Sequence, residues 1–132
     1  MENKMNTLED LVRIIRILRG ENGCPWDRVQ THASIRMDML EEAYEAADAI
    51  DKKDMKNLCE ELGDVLLQVV FHARMAEEEG LFTLDDVVDG ICKSWCSATL
   101  MSLAGHSQFL CRGASDLGRD KKREERGKDP EK

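Results

Sequence analysis

With 132 residues, the chain has room for one domain. An aromatic share of 5%, a charged share of 35% and a formal net charge of −8 exclude a general nucleic-acid binder, which needs clustered Lys and Arg, but leave room for phosphate reached through a divalent cation. Met1 to Asp10 lacks the apolar core of a signal peptide, no apolar run approaches bilayer length, and the five cysteines are irregularly spaced, so the expectation is a cytoplasmic protein with reduced thiols and no membrane or nucleic-acid partner.

Leu8, Leu11, Val12, Ile15 and Leu18 recur at helical spacing and predict an amphipathic helix over Thr7 to Arg19. Thr7 is its N-cap, with Asp10 at capping-box distance. Gly20, Asn22, Gly23 and Pro25 break the pattern, so Glu21 to Thr31 reads as an ordered loop. Within it, the Trp26 indole either stacks on a base or plugs the end of a helical bundle. Gln30 and His32 either bind substrate or cap the loop.

A second helix is expected from about Ser34 to Ile50, with Leu40, Ala43, Tyr44, Ala47 and Ile50 as its apolar stripe. A polar turn at Asp51 to Asp54 leads into a third helix ending near Glu79, with Leu58, Leu62, Val65, Val69 and Ala73 facing inward and Gly80 as the stop. Thr83 then caps a fourth helix carrying Asp85 and Asp86 in its first turn and Val87, Val88 and Ile91 on its apolar side. No strand signal of useful length appears, and the fold class is all-α.

The chemistry-bearing pattern is Glu41-Glu42-x-x-Glu45 on the second helix and Glu60-Glu61-x-x-Asp64 on the third. The i, i+3 spacing sends Glu42 with Glu45, and Glu61 with Asp64, from one side of each helix. A short turn makes the two helices antiparallel neighbours, and four converging carboxylates form a hard oxygen site suited to Mg²⁺ or Mn²⁺. Surface acids on helices usually have a basic residue one turn away. Glu60 has Lys56, whereas Glu42, Glu45, Glu61 and Asp64 have none at i±3 or i±4. Spacing leaves a metal centre and a solvated acidic face both open. A di-iron Glu-x-x-His site is excluded, because Val69 stands three residues before His72.

Asn22-Gly23-Cys24-Pro25-Trp26-Asp27, Gln30-Thr31-His32, Leu40-Glu41-Glu42-Ala43-Tyr44-Glu45 and the run Glu60 to Ala73 together resemble the MazG nucleotide pyrophosphohydrolases, in order and with family-like spacing from about Leu8 to Lys93. The resemblance implies an all-α NTP pyrophosphatase helical bundle that is dimeric, as a homodimer or dimer of dimers. It implies cleavage of NTP or dNTP to the monophosphate and pyrophosphate. By the same resemblance Glu42, Glu45, Glu61 and Asp64 would hold Mg²⁺ (or Mn²⁺) on the triphosphate, activating water for attack on the α-phosphoryl group. One of these carboxylates, or Glu41 beside them, would accept the proton. Trp26, Gln30 and His32 are the candidate substrate contacts.

Past Lys93 the periodicity fades, and the chain ends in a run rich in Lys, Arg and Glu. The helical domain is therefore placed at residues 1–93, and residues 94–132 are expected to be an atypical, partly disordered tail. Family members continue through Arg-His-Pro-His-Val-Phe and then Trp-Glu-Glu-Ile-Lys, which this chain lacks. With compatible codons, Trp95 to Ser102 and Gly113 to Lys122 yield both strings in shifted frames. A frame-shifted tail is the expectation, and it makes a catalytically impaired dimerisation or regulatory module the alternative to an active hydrolase.

Overall fold

A computed structural model describes residues 4–98. The described residues form five helices and no strand: α1 (Leu8–Leu18), α2 (Pro25–Arg28), α3 (Arg36–Asp51), α4 (Met55–Glu78) and α5 (Leu84–Ala98). None of them is long and apolar enough to cross a membrane. The chain divides into two compact units, the first ending at Leu84 and the second beginning at Asp85.

In the first unit, α1 starts where the capping pattern places it. The Thr7 backbone N–H donates to Asp10 Oδ2 at 2.8 Å, and the Asp10 N–H donates back to Thr7 Oγ1 at 3.4 Å. Pro25 opens the four-residue α2 inside the segment expected to be loop, its fixed φ and missing N–H suiting the first helical position. That turn is too short to show a hydrophobic period.

The α3–α4 connection closes with Lys53 in the left-handed region at φ 55°. The Lys53 N–H donates to Ile50 O and the Asp54 N–H to Ala49 O, both at 3.0 Å, which satisfies the last carbonyls of α3. Asp54 then caps α4, accepting from the Asn57 N–H at 3.1 Å. Gly80, at φ 71°, ends α4 by the same device, with its N–H on Glu77 O and that of Leu81 on Ala76 O. Here the left-handed conformation falls on the residue that adopts it without Cβ strain.

The α3–α4 pair is the main helix–helix packing of the unit, and α1 packs on α4. Ile15, Ile35, Val70, Phe71 and Met75 form the core, flanked by Leu11, Val12, Leu18 and Leu67. The α3 face turned inward differs from the expected stripe. Ala46 and Ala49 are buried and Met39 and Glu42 half-buried, while Leu40, Ala43, Tyr44, Ala47 and Ile50 are exposed. Small alanines let α3 approach α4 closely, and the larger apolar side chains point away. On α4, Ala73 is buried, Leu58, Val65 and Val69 are half-buried and Leu62 is exposed.

In the second unit, α5 carries Asp85 and Asp86 in its first turn and a Lys93–Asp89 ion pair at 2.7 Å. Its expected apolar side, Val87, Val88 and Ile91, is exposed. The expectations of disorder and a shifted reading frame lie, past Ala98, outside the described residues. Cys24, Cys59 and Cys92 carry free thiols.

Candidate metal and nucleotide site

Glu42 and Glu45 stand one turn apart on α3, opposite Glu61 on α4, and the three offer carboxylate oxygens that all lie within 4.8 Å of one another. Close helix packing brings them together: Ala46 and Ala49 continue the inward line of Glu42, so the backbone approach set by the alanines also draws the carboxylates inward. Glu42 and Glu61 are half-buried and Glu45 is exposed. Asp64 is exposed and outside this trio, yet near enough for its charge to act on both Glu42 and Glu61. Glu41 and Glu60 are exposed, each one turn before a member of the carboxylate set, Glu45 and Asp64.

The cluster is under electrostatic stress. Burial raises the Glu42 carboxyl above its usual range, and the charges of Glu45 and Asp64 raise it further. Glu61 is pushed up to about 7, first by its hydrogen-bonding contact with Glu45, then by burial and the charges of Glu45, Asp64 and Glu42. Oε2 of Glu42 and Oε2 of Glu61 are buried without a hydrogen-bond partner. Oxygen-only donors, mutual repulsion and two orphaned buried oxygens are the features that a hard divalent cation would satisfy, and the residues present fit one.

The polar line continues along α4. Gln68 and His72 follow Glu61 at spacings of seven and four, on the same helix face, and both Gln68 Oε1 and His72 Nε2 are buried without a partner. His72 lies about 16 Å along the helix from Glu61, at 1.5 Å per residue. There, His32, Ala33, Arg36, Met39, Leu40 and His72 line a cleft of about 470 Å³. Met39 is one turn before Glu42, so the cleft opens on the same side of α3 as the carboxylates. Arg36 donates to Met37 Sδ at 3.6 Å and pairs with no carboxylate among the described residues.

The loop candidates divide. Trp26 is 78% exposed on α2, which rules out a role as plug within this chain and leaves the indole face open. Gln30 is a brace inside the loop: its Nε2 donates to Trp26 O at 3.0 Å, and its Oε1 accepts from Ser34 Oγ at 2.6 Å. His32 stands on the cleft wall with its Nδ1 2.7 Å from His72 Nδ1. Two further residues matter here: the sequence pattern tests His72 by name only against a di-iron site and gives Arg19 no role beyond the end of the first helix. Arg19 in fact reaches the loop backbone and Glu78, contacts that only the folded chain shows.

The family model for the MazG nucleotide pyrophosphohydrolase domain matches residues 30–95. The chain is 60% identical over 78 residues to the uncharacterized protein YabN of Bacillus subtilis, covering 59% of this chain and 16% of that protein. It is 55% identical over 80 residues to the nucleoside triphosphate pyrophosphohydrolase/pyrophosphatase MazG of Thermotoga maritima, covering 61% and 31% of the two chains. To the nucleoside triphosphate pyrophosphohydrolase of Escherichia coli strain K12 it is 51% identical over 88 residues, covering 66% and 34%. The chain thus spans about a third or less of the length of these relatives. The match takes in both carboxylate pairs and the two helices that converge them, and the chain belongs to the MazG nucleotide pyrophosphohydrolase domain family.

Proposed function

We propose that the chain is a Mg²⁺-dependent nucleoside triphosphate pyrophosphohydrolase, cleaving NTP or dNTP to the monophosphate and pyrophosphate. The observation that carries the reading is the convergence of Glu42, Glu45 and Glu61 with two buried oxygens that lack partners. Two relatives named as nucleoside triphosphate pyrophosphohydrolases support the substrate class.

Glu42, Glu45 and Glu61 would hold the cation, with Asp64 completing the set by a side-chain rotation from its exposed position. A bound Mg²⁺ would supply charge neutralisation on the triphosphate and activation of a water. The chain's own part is orientation and proton handling. A carboxylate uncommitted to the cation, or Glu41 beside the cluster, accepts the proton of the attacking water. The cleft beside His32 and Arg36 takes the part of the nucleotide that extends away from the carboxylates, with the Arg36 guanidinium free to meet phosphate. Trp26 offers its open face to the base.

The working form is proposed to be a homodimer or dimer of dimers. Leu40, Tyr44 and Ile50 on α3 and Leu62 and Leu66 on α4 are all more than 40% exposed, and among the described residues four of the nine buried hydrophobics are alanines. A single chain thus leaves these large apolar side chains in water, and a second copy of the same face would cover them. Pyrophosphate release from a panel of NTPs and dNTPs, with and without Mg²⁺, tests the activity. Release without added metal, or none with any nucleotide, would overturn it.

A further inference from the structure

We infer that Arg19 is a positioning residue, whose guanidinium holds the Pro25–Ser34 segment, and so Trp26 and His32, in the conformation that meets the nucleotide. The ligand's identity rests on the pyrophosphohydrolase reading; the geometry does not. Arg19 forms the C-cap of α1, and its side chain is only 8% exposed. One edge of the guanidinium binds the Glu78 carboxylate on α4, with Nε at 3.0 and 3.2 Å and Nη2 at 2.8 Å. Nη1 donates to two loop carbonyls, Asp27 O and, at 3.2 Å, Gln30 O. The Phe71 ring lies under the group, 5.4 Å from Cζ to centroid.

An ion pair serving only to neutralise a buried charge would need Glu78 and nothing from the loop. The two carbonyls instead belong to the residue after Trp26 and to Gln30, two residues before His32. Gln30 passes the constraint on, since its side chain bonds Trp26 O and Ser34. The planar fork of arginine reaches a carboxylate on one side and two carbonyls on another; the single ammonium of lysine cannot span both sets. The group also keeps Glu78 below the usual carboxylate range, chiefly through its hydrogen bonds. Arg19 therefore ties α1, the loop and α4 at one point without touching the carboxylate cluster.

The test compares the full chain with R19K and E78Q variants in three measurements: steady-state pyrophosphate release, Mg²⁺ affinity without nucleotide, and amide hydrogen exchange. The R19K chain should show KM raised about tenfold with kcat changed much less, as displaced substrate contacts predict. Its Mg²⁺ affinity should stay unchanged, and exchange should quicken at residues 26–32 while the middle of α4 keeps its protection. The E78Q chain keeps an acceptor for Arg19 and should perturb loop exchange less. An R19K chain with lowered melting temperature but unchanged KM and loop exchange would overturn the inference, as would exchange raised equally across all helices. If the unaltered chain releases no pyrophosphate, the hydrolase reading fails by that result, and loop-confined exchange still decides the role of Arg19 in setting the segment.

Discussion

His32 Nδ1 and His72 Nδ1 stand 2.7 Å apart, the two rings lying within 10° of parallel and their centroids 5.0 Å from each other. A nitrogen separation of 2.7 Å is shorter than the plane spacing of stacked rings, so the contact is an edge-to-edge N–H···N hydrogen bond. It requires one Nδ1 protonated and the other bare, and it joins the loop carrying Trp26 to α4.

Acid should break this bond. Burial lowers the His72 pKa from its ordinary 6.5, and the charge of His32 lowers it further. A histidine with a depressed folded-state pKa binds fewer protons folded than unfolded, so its contribution to stability is present above about 6.5 and lost as pH falls below it. Between pH 7 and pH 5.5 the metal-free chain should therefore lose stability relative to His72→Asn, which retains a hydrogen-bonding side chain without titrating there, while the carboxylates contribute equally to both. Equal slopes for the two chains would sink the assignment.

The carboxylate cluster should respond in the opposite sense. Glu61 is pushed from 4.5 up to about 7, so the folded chain holds a proton that the unfolded chain has released, and stability is lost as pH rises through that window. Metal-free Glu61→Gln should therefore melt higher than the unaltered chain at pH 8. Mg²⁺ should raise the melting temperature of the unaltered chain and not that of the variant, because a cation binding the folded state stabilises it. Mg²⁺ affinity should grow from pH 6 to pH 8 as proton competition ends.

Catalysis should separate neighbouring acids. Glu42→Ala, Glu61→Ala and Asp64→Ala should each lower pyrophosphate release by more than about 100-fold, the upper end of what loss of an outer-shell partner costs a metal site. Glu60→Ala should stay within about twofold, since Glu60 is exposed and outside the trio. Comparable losses at Glu60 and Glu61 would point to a diffuse charge effect.

Two backbone positions should move stability in opposite directions. A Cβ at Gly23 would collide with the Ile17 and Leu18 carbonyl oxygens, where the chain folds back on the end of α1. Gly23→Ala should cost about 1–3 kcal/mol, the usual range for overpacking. Lys53→Gly should gain up to about 1 kcal/mol by relieving the left-handed strain at φ 55°. Chemical denaturation of each variant gives both values.

The exposed α3–α4 face makes a prediction about assembly. Leu62→Asp with Leu66→Asp, on a face that is open in the single chain, should convert a dimer to monomer in light scattering. Retained dimers would move the interface elsewhere.

Much of the local structure is legible in the sequence, because it is set by short-range rules. Thr7 with Asp10 announces the start of α1, Gly80 the end of α4, and the Glu-x-x-Glu and Glu-x-x-Asp spacings place their carboxylates on one side of a helix whatever surrounds it. Only tertiary structure decides which side faces in. The apolar period of α3 points to Leu40, Tyr44 and Ile50, yet the packed line is Met39, Glu42, Ala46 and Ala49, since close helix contact selects small residues over large ones. The same packing admits Glu42, Glu45 and Glu61 to the trio and leaves Asp64 at its edge, because convergence depends on the distance between two helices. Glu78 stands 59 residues from Arg19 and His72 stands 40 from His32, and no local period reports contacts of that range.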